Sequence, residues 1–145
     1  VIDNWISWIH EIRGQYDLAE KSNLKVLGAG GVPPAQLARY RAAYRRGGWK
    51  AYWRAQLEDR PRPYFFRENA DSNCVGYYVG LADLYMGAKD AAFDGLSRAV
   101  AQRCVWTMWL KVDPRLDPLR NDPRFAALLR RINLPASGVV PVADQ

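Results

Sequence analysis

An all-α fold is predicted by three features of the sequence. Apolar residues recur at helical spacing, glycines interrupt that pattern at intervals, and Asp-Pro steps near the end open new helices. The strongest stretch is Cys74–Arg103. Cys74, Tyr77, Tyr78, Leu81, Ala82 and Tyr85 form one stripe, which resumes after Gly87 as Ala92, Phe93, Leu96, Ala99 and Val100. This predicts two antiparallel helices joined at Met86–Asp90, with Asp90 accepting from free N–H groups at the start of the second. Gly80, Ala82, Ala92 and Ala99 are the small residues expected where the two helices approach.

Upstream, Ile2, Trp5, Ile6, Ile9 and Ile12 have helical period and are expected to face inward, with Gly14 ending the helix. A second helix over Gln15–Leu27 stops at the glycines around Gly30 and Gly31. No strand precedes those glycines and no Gly-Lys-Ser/Thr follows, so they read as a turn and not a phosphate cradle. Pro34 suits the first turn of a third helix, Ala35–Arg46. Gly47–Gly48 breaks it, and Trp49–Leu57 is a fourth. Two prolines in Arg60-Pro61-Arg62-Pro63 forbid a continuous helix, so Asp59–Asn69 reads as a surface loop. Beyond Arg103, the apolar residues from Val105 to Val112 are expected to fold back onto the preceding pair. Of the three Asp-Pro steps, at Asp113, Asp117 and Asp122, the last opens the long helix Pro123–Ile132. Ala136–Gln145 has no period and reads as a frayed tail.

Composition narrows the function. A hydrophobic fraction of 49% and a charged fraction of 25% describe a globular chain able to bury a core. It opens with Val1 already inside an amphipathic pattern and reads as a piece of a longer protein. The single histidine, His10, offers no metal cluster and no Ser–His–Asp triad. Cys74 and Cys104 lie beside apolar stripes and are expected to be buried free thiols, with a bridge between helix ends as the alternative. The carboxylates of the Asp-Pro steps read as helix caps, so no catalytic activity and no cofactor are expected. The charge of +6 is concentrated: Pro33–Arg67 holds nine basic and two acidic residues. A local basic patch points to an acidic partner.

The glycine breaks at Gly14, Gly47 and Gly87 are 33 and 40 residues apart. A helix–turn–helix unit of about 34 residues is the tetratricopeptide period. Ala19 and Ala92 follow their glycines by five residues, Val79-Gly80 resembles the Leu-Gly pair of that repeat, and Ala92, Leu96 and Ala99 resemble its second-helix positions. Ser7, His10 and Asp83 depart from the pattern, and the second unit has Ala51 four residues after Gly47. The segment from Lys111 to Arg131 resembles the closing stretch of tetratricopeptide regions in bacterial winged-helix transcription regulators, serine/threonine protein kinases and adenylate/guanylate cyclases. The run Tyr44–Leu57 is similar to the same group. The resemblance implies a right-handed superhelix over residues 1–135, made of about three helix pairs and a capping helix, 123–132. It implies a protein or peptide partner held in a concave groove, for signalling or transcription regulation. The parents of such regions hold them in the cytoplasm or beyond a membrane span.

Groove candidates are the outward residues of each first helix: Asn4, Trp8 and Glu11, then Arg41 and Arg45, then Asn73, Tyr77 and Asp83. Arg41 and Arg45 lie one turn apart, so both can fork one carboxylate. The alternative is nucleic-acid binding by the basic segment 33–67, with Tyr40, Tyr44, Trp49, Tyr52 and Trp53 as stacking surfaces.

Overall fold

A computed structural model describes residues 2–59 and 72–135. The helices are α1 (Ile2–Ile12), α2 (Tyr16–Ala29), α3 (Pro34–Leu57), α4 (Val75–Tyr85), α5 (Lys89–Ala101) and α6 (Pro123–Arg131). Short 3-10 turns occupy Ser72–Cys74, Val105–Trp109 and Pro114–Leu119. The described residues include no strand, so the fold is all-α. Most of the expected loop Asp59–Asn69 and the whole of the tail Ala136–Gln145 lie outside the described residues. The chain divides into two compact units, Val1–Asn69 and Ala70–Gln145.

In the first unit α1 and α2 form one hairpin. Gly14 turns the chain with φ +68°, the left-handed region that suits glycine. α3 is a hairpin in itself. Gly47 and Gly48 leave the helical range, and Gly48 has φ +64° and ψ −157°, a conformation essentially confined to glycine. The two arms, 34–46 and 49–57, fold back on each other. Gln36, Arg39 and Tyr40 on the first arm all bond Asp59 beyond the second, and Arg39 also donates to the Ala55 carbonyl at 2.9 Å. Leu24, Leu27, Tyr40, Trp49 and Tyr52 are buried at the centre.

The orientation of α1 corrects the sequence reading. Trp5, Ile6, Ile9 and Ile12 are exposed, Ile9 to 50%, while Ser7 and Glu11 are buried. Ser7 donates to the Ala19 carbonyl at 3.1 Å, and Glu11 accepts from Trp49 Nε1 at 3.2 Å. Specific polar partners fix the buried face, and the isoleucine stripe points outward.

In the second unit α4 and α5 pack closely, turning at Gly87 with φ +81°. Glycine allows the contact. A Cβ added at Gly80 would lie 2.9 Å from the Ala92 carbonyl oxygen, and one at Gly95 would lie 2.7 Å from that of Gly76. Gly76 and Gly95 were not among the small residues expected at this crossing. Asp90 is not the N-cap of α5: Ala88 holds that position and makes no side-chain cap bond, and the Asp90 carboxylate accepts from Arg124 Nη1 at 2.7 Å. Nor are Cys74 and Cys104 free thiols; they form a disulfide with a Cα–Cα separation of 4.8 Å. It joins the residue just before α4 to one three residues beyond the end of α5.

The closing segment follows a simple rule. Each Asp-Pro step is answered by an arginine two or three residues on. Asp113 and Asp122 cap their helices by accepting from the backbone N–H groups of Arg115 and Arg124, both at 3.0 Å. The three guanidinium groups return to Asp113, Asp117 and Asp122. Arg120 also donates to the carbonyls of Lys111 and Asp113. Phe125, Leu128 and Leu129 of α6 complete the core with Leu110, Leu116 and Leu119. The apolar run before this segment folds back only in part. Thr107 and Leu110 are buried, but Val105, Met108, Trp109 and Val112 are exposed, which corrects the expected burial of that stretch.

Candidate functional site

α3 presents two contrasting sides. One meets α2 and α1 through a seam of donors and carboxylates. Tyr44 donates to Asp17 at 2.8 Å, Tyr52 to Asn23 at 2.5 Å, and Trp49 to Glu11 at 3.2 Å. Arg41 pairs with the buried Glu20 at 3.4 Å. The carboxylate that Arg41 meets is therefore supplied by its own chain. Rings stack behind the seam, with Tyr16 on Trp49 and Trp49 on Tyr52 at centroid distances of 5.6 and 4.9 Å.

Around and beyond its glycine turn, the exposed surface of α3 is cationic. Arg45, Arg46, Lys50 and Arg54 are exposed and make no ion pair among the described residues. Lys50 and Arg54 are one helical turn apart, and the glycine turn separates them from Arg45 and Arg46. Arg39 is set apart from this group because Glu58 and Asp59 already neutralise it.

The remaining groove candidates are scattered. Asn4 and Trp8 on α1 are half-buried. Glu11 belongs to the seam. Asn73 is half-buried, and its side-chain amide donates to the carbonyls of Gln102 and Arg103 at 3.2 Å each. Tyr77 is 1% exposed and Asp83 is buried, so neither offers a surface. Tyr77 instead donates to Asp113 Oδ2 at 2.7 Å. Within the first unit, Arg45 is the predicted residue that remains exposed and has no ion pair among the described residues. Arg46, Lys50 and Arg54 were not singled out by sequence, although the run of basic residues around Gly47–Gly48 was their signal.

Burial and neighbouring carboxylates hold four phenols in the neutral form. Burial, with Asp59 at the hydroxyl, pushes Tyr40 up to about 12. Burial and Asp17 push Tyr44 up to about 12. Tyr52 and Tyr77 are raised well above the ordinary tyrosine range, first by burial and then by the charges of Glu20 and Asp113 respectively. Unfolded tyrosines ionise near 10, so between that pH and the folded values the unfolded chain binds fewer protons than the native one. By linkage, stability falls as pH rises through this window. These tyrosines should leave stability undiminished up to about pH 10 and lower it steadily from there to about 12. Phenolate absorbance followed alongside circular dichroism checks this. Ionisation of all eight tyrosines near pH 10 with the helices intact would contradict it.

Among the described residues no group of His, Cys, Asp and Glu could hold a metal ion, and no helix is long and apolar enough to cross a membrane. Compared with known protein families, curated proteins and solved structures, the chain matches none. Function is therefore read from the side chains themselves.

Proposed function

We propose that this chain is a non-catalytic protein-interaction module of helix hairpins, and that the cationic side of α3 receives an acidic segment of a partner protein. The observation that carries the reading is the set Arg45, Arg46, Lys50 and Arg54, exposed and with no ion pair among the described residues, beside a seam in which nearby carboxylates are already engaged. Charge of one sign concentrated on one surface steers an oppositely charged partner and fixes its register.

The tetratricopeptide resemblance fits this reading. The first and third glycine-turned hairpins share a register. Ser7 meets Ala19 across the first, and Gly80 meets Ala92 across the third; each pair is twelve residues apart. Ala19 and Ala92 are both fully buried. Stacked in sequence order, such hairpins make a right-handed superhelix with a concave binding face, as in the regulatory proteins whose closing segment this chain resembles. Nucleic-acid binding is disfavoured because Tyr40, Trp49 and Tyr52 are buried and so offer no stacking platform.

A fluorescent glutamate-rich peptide serves as probe. It should bind the native chain, and Arg45→Glu with Lys50→Glu should weaken it at least tenfold with helix content unchanged. Arg41 is left intact because it already pairs with Glu20. Unchanged affinity would overturn the assignment. A single-stranded oligonucleotide that binds more tightly, with the steep salt dependence of phosphate contacts, would transfer the surface to the alternative.

A further inference from the structure

A second feature lies in the other unit and goes beyond the peptide-binding reading. An open cleft of about 500 Å³ lies between the end of α5, the turn after it, and the end of α6. That volume falls within the range of ligand sites, roughly 300–1,000 Å³. Val105, Met108, Ile132 and Leu134 supply apolar wall, and Val105 and Met108 remain 52% and 60% exposed. Arg103 and Arg131 line the same cleft. Among the described residues no carboxylate lines it, and neither arginine has an ion pair.

The backbone of Arg103 is held in place. Its φ is +55°, the left-handed conformation that glycine usually supplies after a helix, so a bulky side chain here is strained. Asn73 fixes the carbonyls of Gln102 and Arg103, and the adjacent Cys104 is bridged to Cys74. Strain retained at a cationic residue that lines a largely apolar cleft is a mark of a site.

We propose that this cleft binds an amphipathic aliphatic carboxylate. The alkyl chain lies on Val105 and Met108, whose unbranched thioether adapts to a flexible ligand, and Arg103 and Arg131 take the carboxylate. Guanidinium groups suit a planar carboxylate because they offer paired parallel donors.

The probe is sodium dodecanoate below its micelle concentration, titrated calorimetrically into the full chain. One molecule should bind per chain, and dodecyltrimethylammonium should not bind. Met108→Asp should weaken binding at least tenfold. Arg103→Gly separates binding from folding: glycine suits the backbone there, so the thermal midpoint should hold or rise while affinity falls at least fivefold. Absence of binding, many molecules per chain, equal binding of the cationic analogue, or affinities indifferent to both substitutions would each overturn the proposal.

Discussion

Replacing Cys74 and Cys104 together by alanine should lower the stability of the second unit by about 3–4 kcal/mol. The bridge spans a sequence separation of 30 residues, and closing a loop of that length in the unfolded chain accounts for the estimate in the chain-entropy treatment. Both cysteines are buried, at 0% and 2% exposure, so the alanines also forfeit some packing. Disulfides of this kind persist where thiols are kept oxidised, so the native chain should titrate no free thiol after denaturation without reductant. Urea unfolding measures the effect. The midpoint of the native chain should fall to that of the double alanine variant once reductant is added, while the variant itself is indifferent to reductant. Two titratable thiols in the purified chain, or equal midpoints with and without reductant, would contradict the bridge.

Asp113→Ala should cost about 3–5 kcal/mol, the loss typical of removing one partner from a buried ion pair. The Asp113 side chain, a carboxylate, is 0% exposed and the Arg115 side chain only 10%. It caps the turn at Pro114, accepts from the Tyr77 hydroxyl at 2.7 Å, and holds the Arg115 guanidinium at 2.7 Å. Removing it takes the facing carboxylate from the Arg115 guanidinium and the acceptor from the buried Tyr77 hydroxyl at once. Tyr77→Phe is the control. It removes one hydrogen bond and leaves the ion pair, so it should cost only about 1 kcal/mol. Equal losses for the two variants in denaturant unfolding would show that the ion pair contributes nothing beyond the phenol.

What the sequence made legible follows from what periodicity encodes. The helices, their glycine turns and the caps at Asp113 and Asp122 are local, and each was readable from a few neighbouring residues. The facing of α1 was not. Spacing marks an apolar stripe but does not say which side is covered, and the buried face is chosen by Ala19 and Trp49, 12 and 38 residues away. The disulfide left a weak signal: Cys74 and Cys104 flank the two stripes on either side of the Gly87 turn, and a hairpin brings its two ends together. For the candidate site, the basic run located the cationic side of α3. Charge counting could not tell which cations the chain already pairs, since Glu20 reaches Arg41 from the neighbouring hairpin. Arg103 and Arg131 carried no sequence signal, because only the fold brings the ends of α5 and α6 to one cleft.

The most direct measurement is hydrogen–deuterium exchange of the whole chain with and without the glutamate-rich peptide. Recognition by the cationic side of α3 requires added protection centred on residues 45–54, with α4 and α5 exchanging as before. Protection confined to Val75–Ala101, or none at peptide concentrations that saturate binding, would contradict the account.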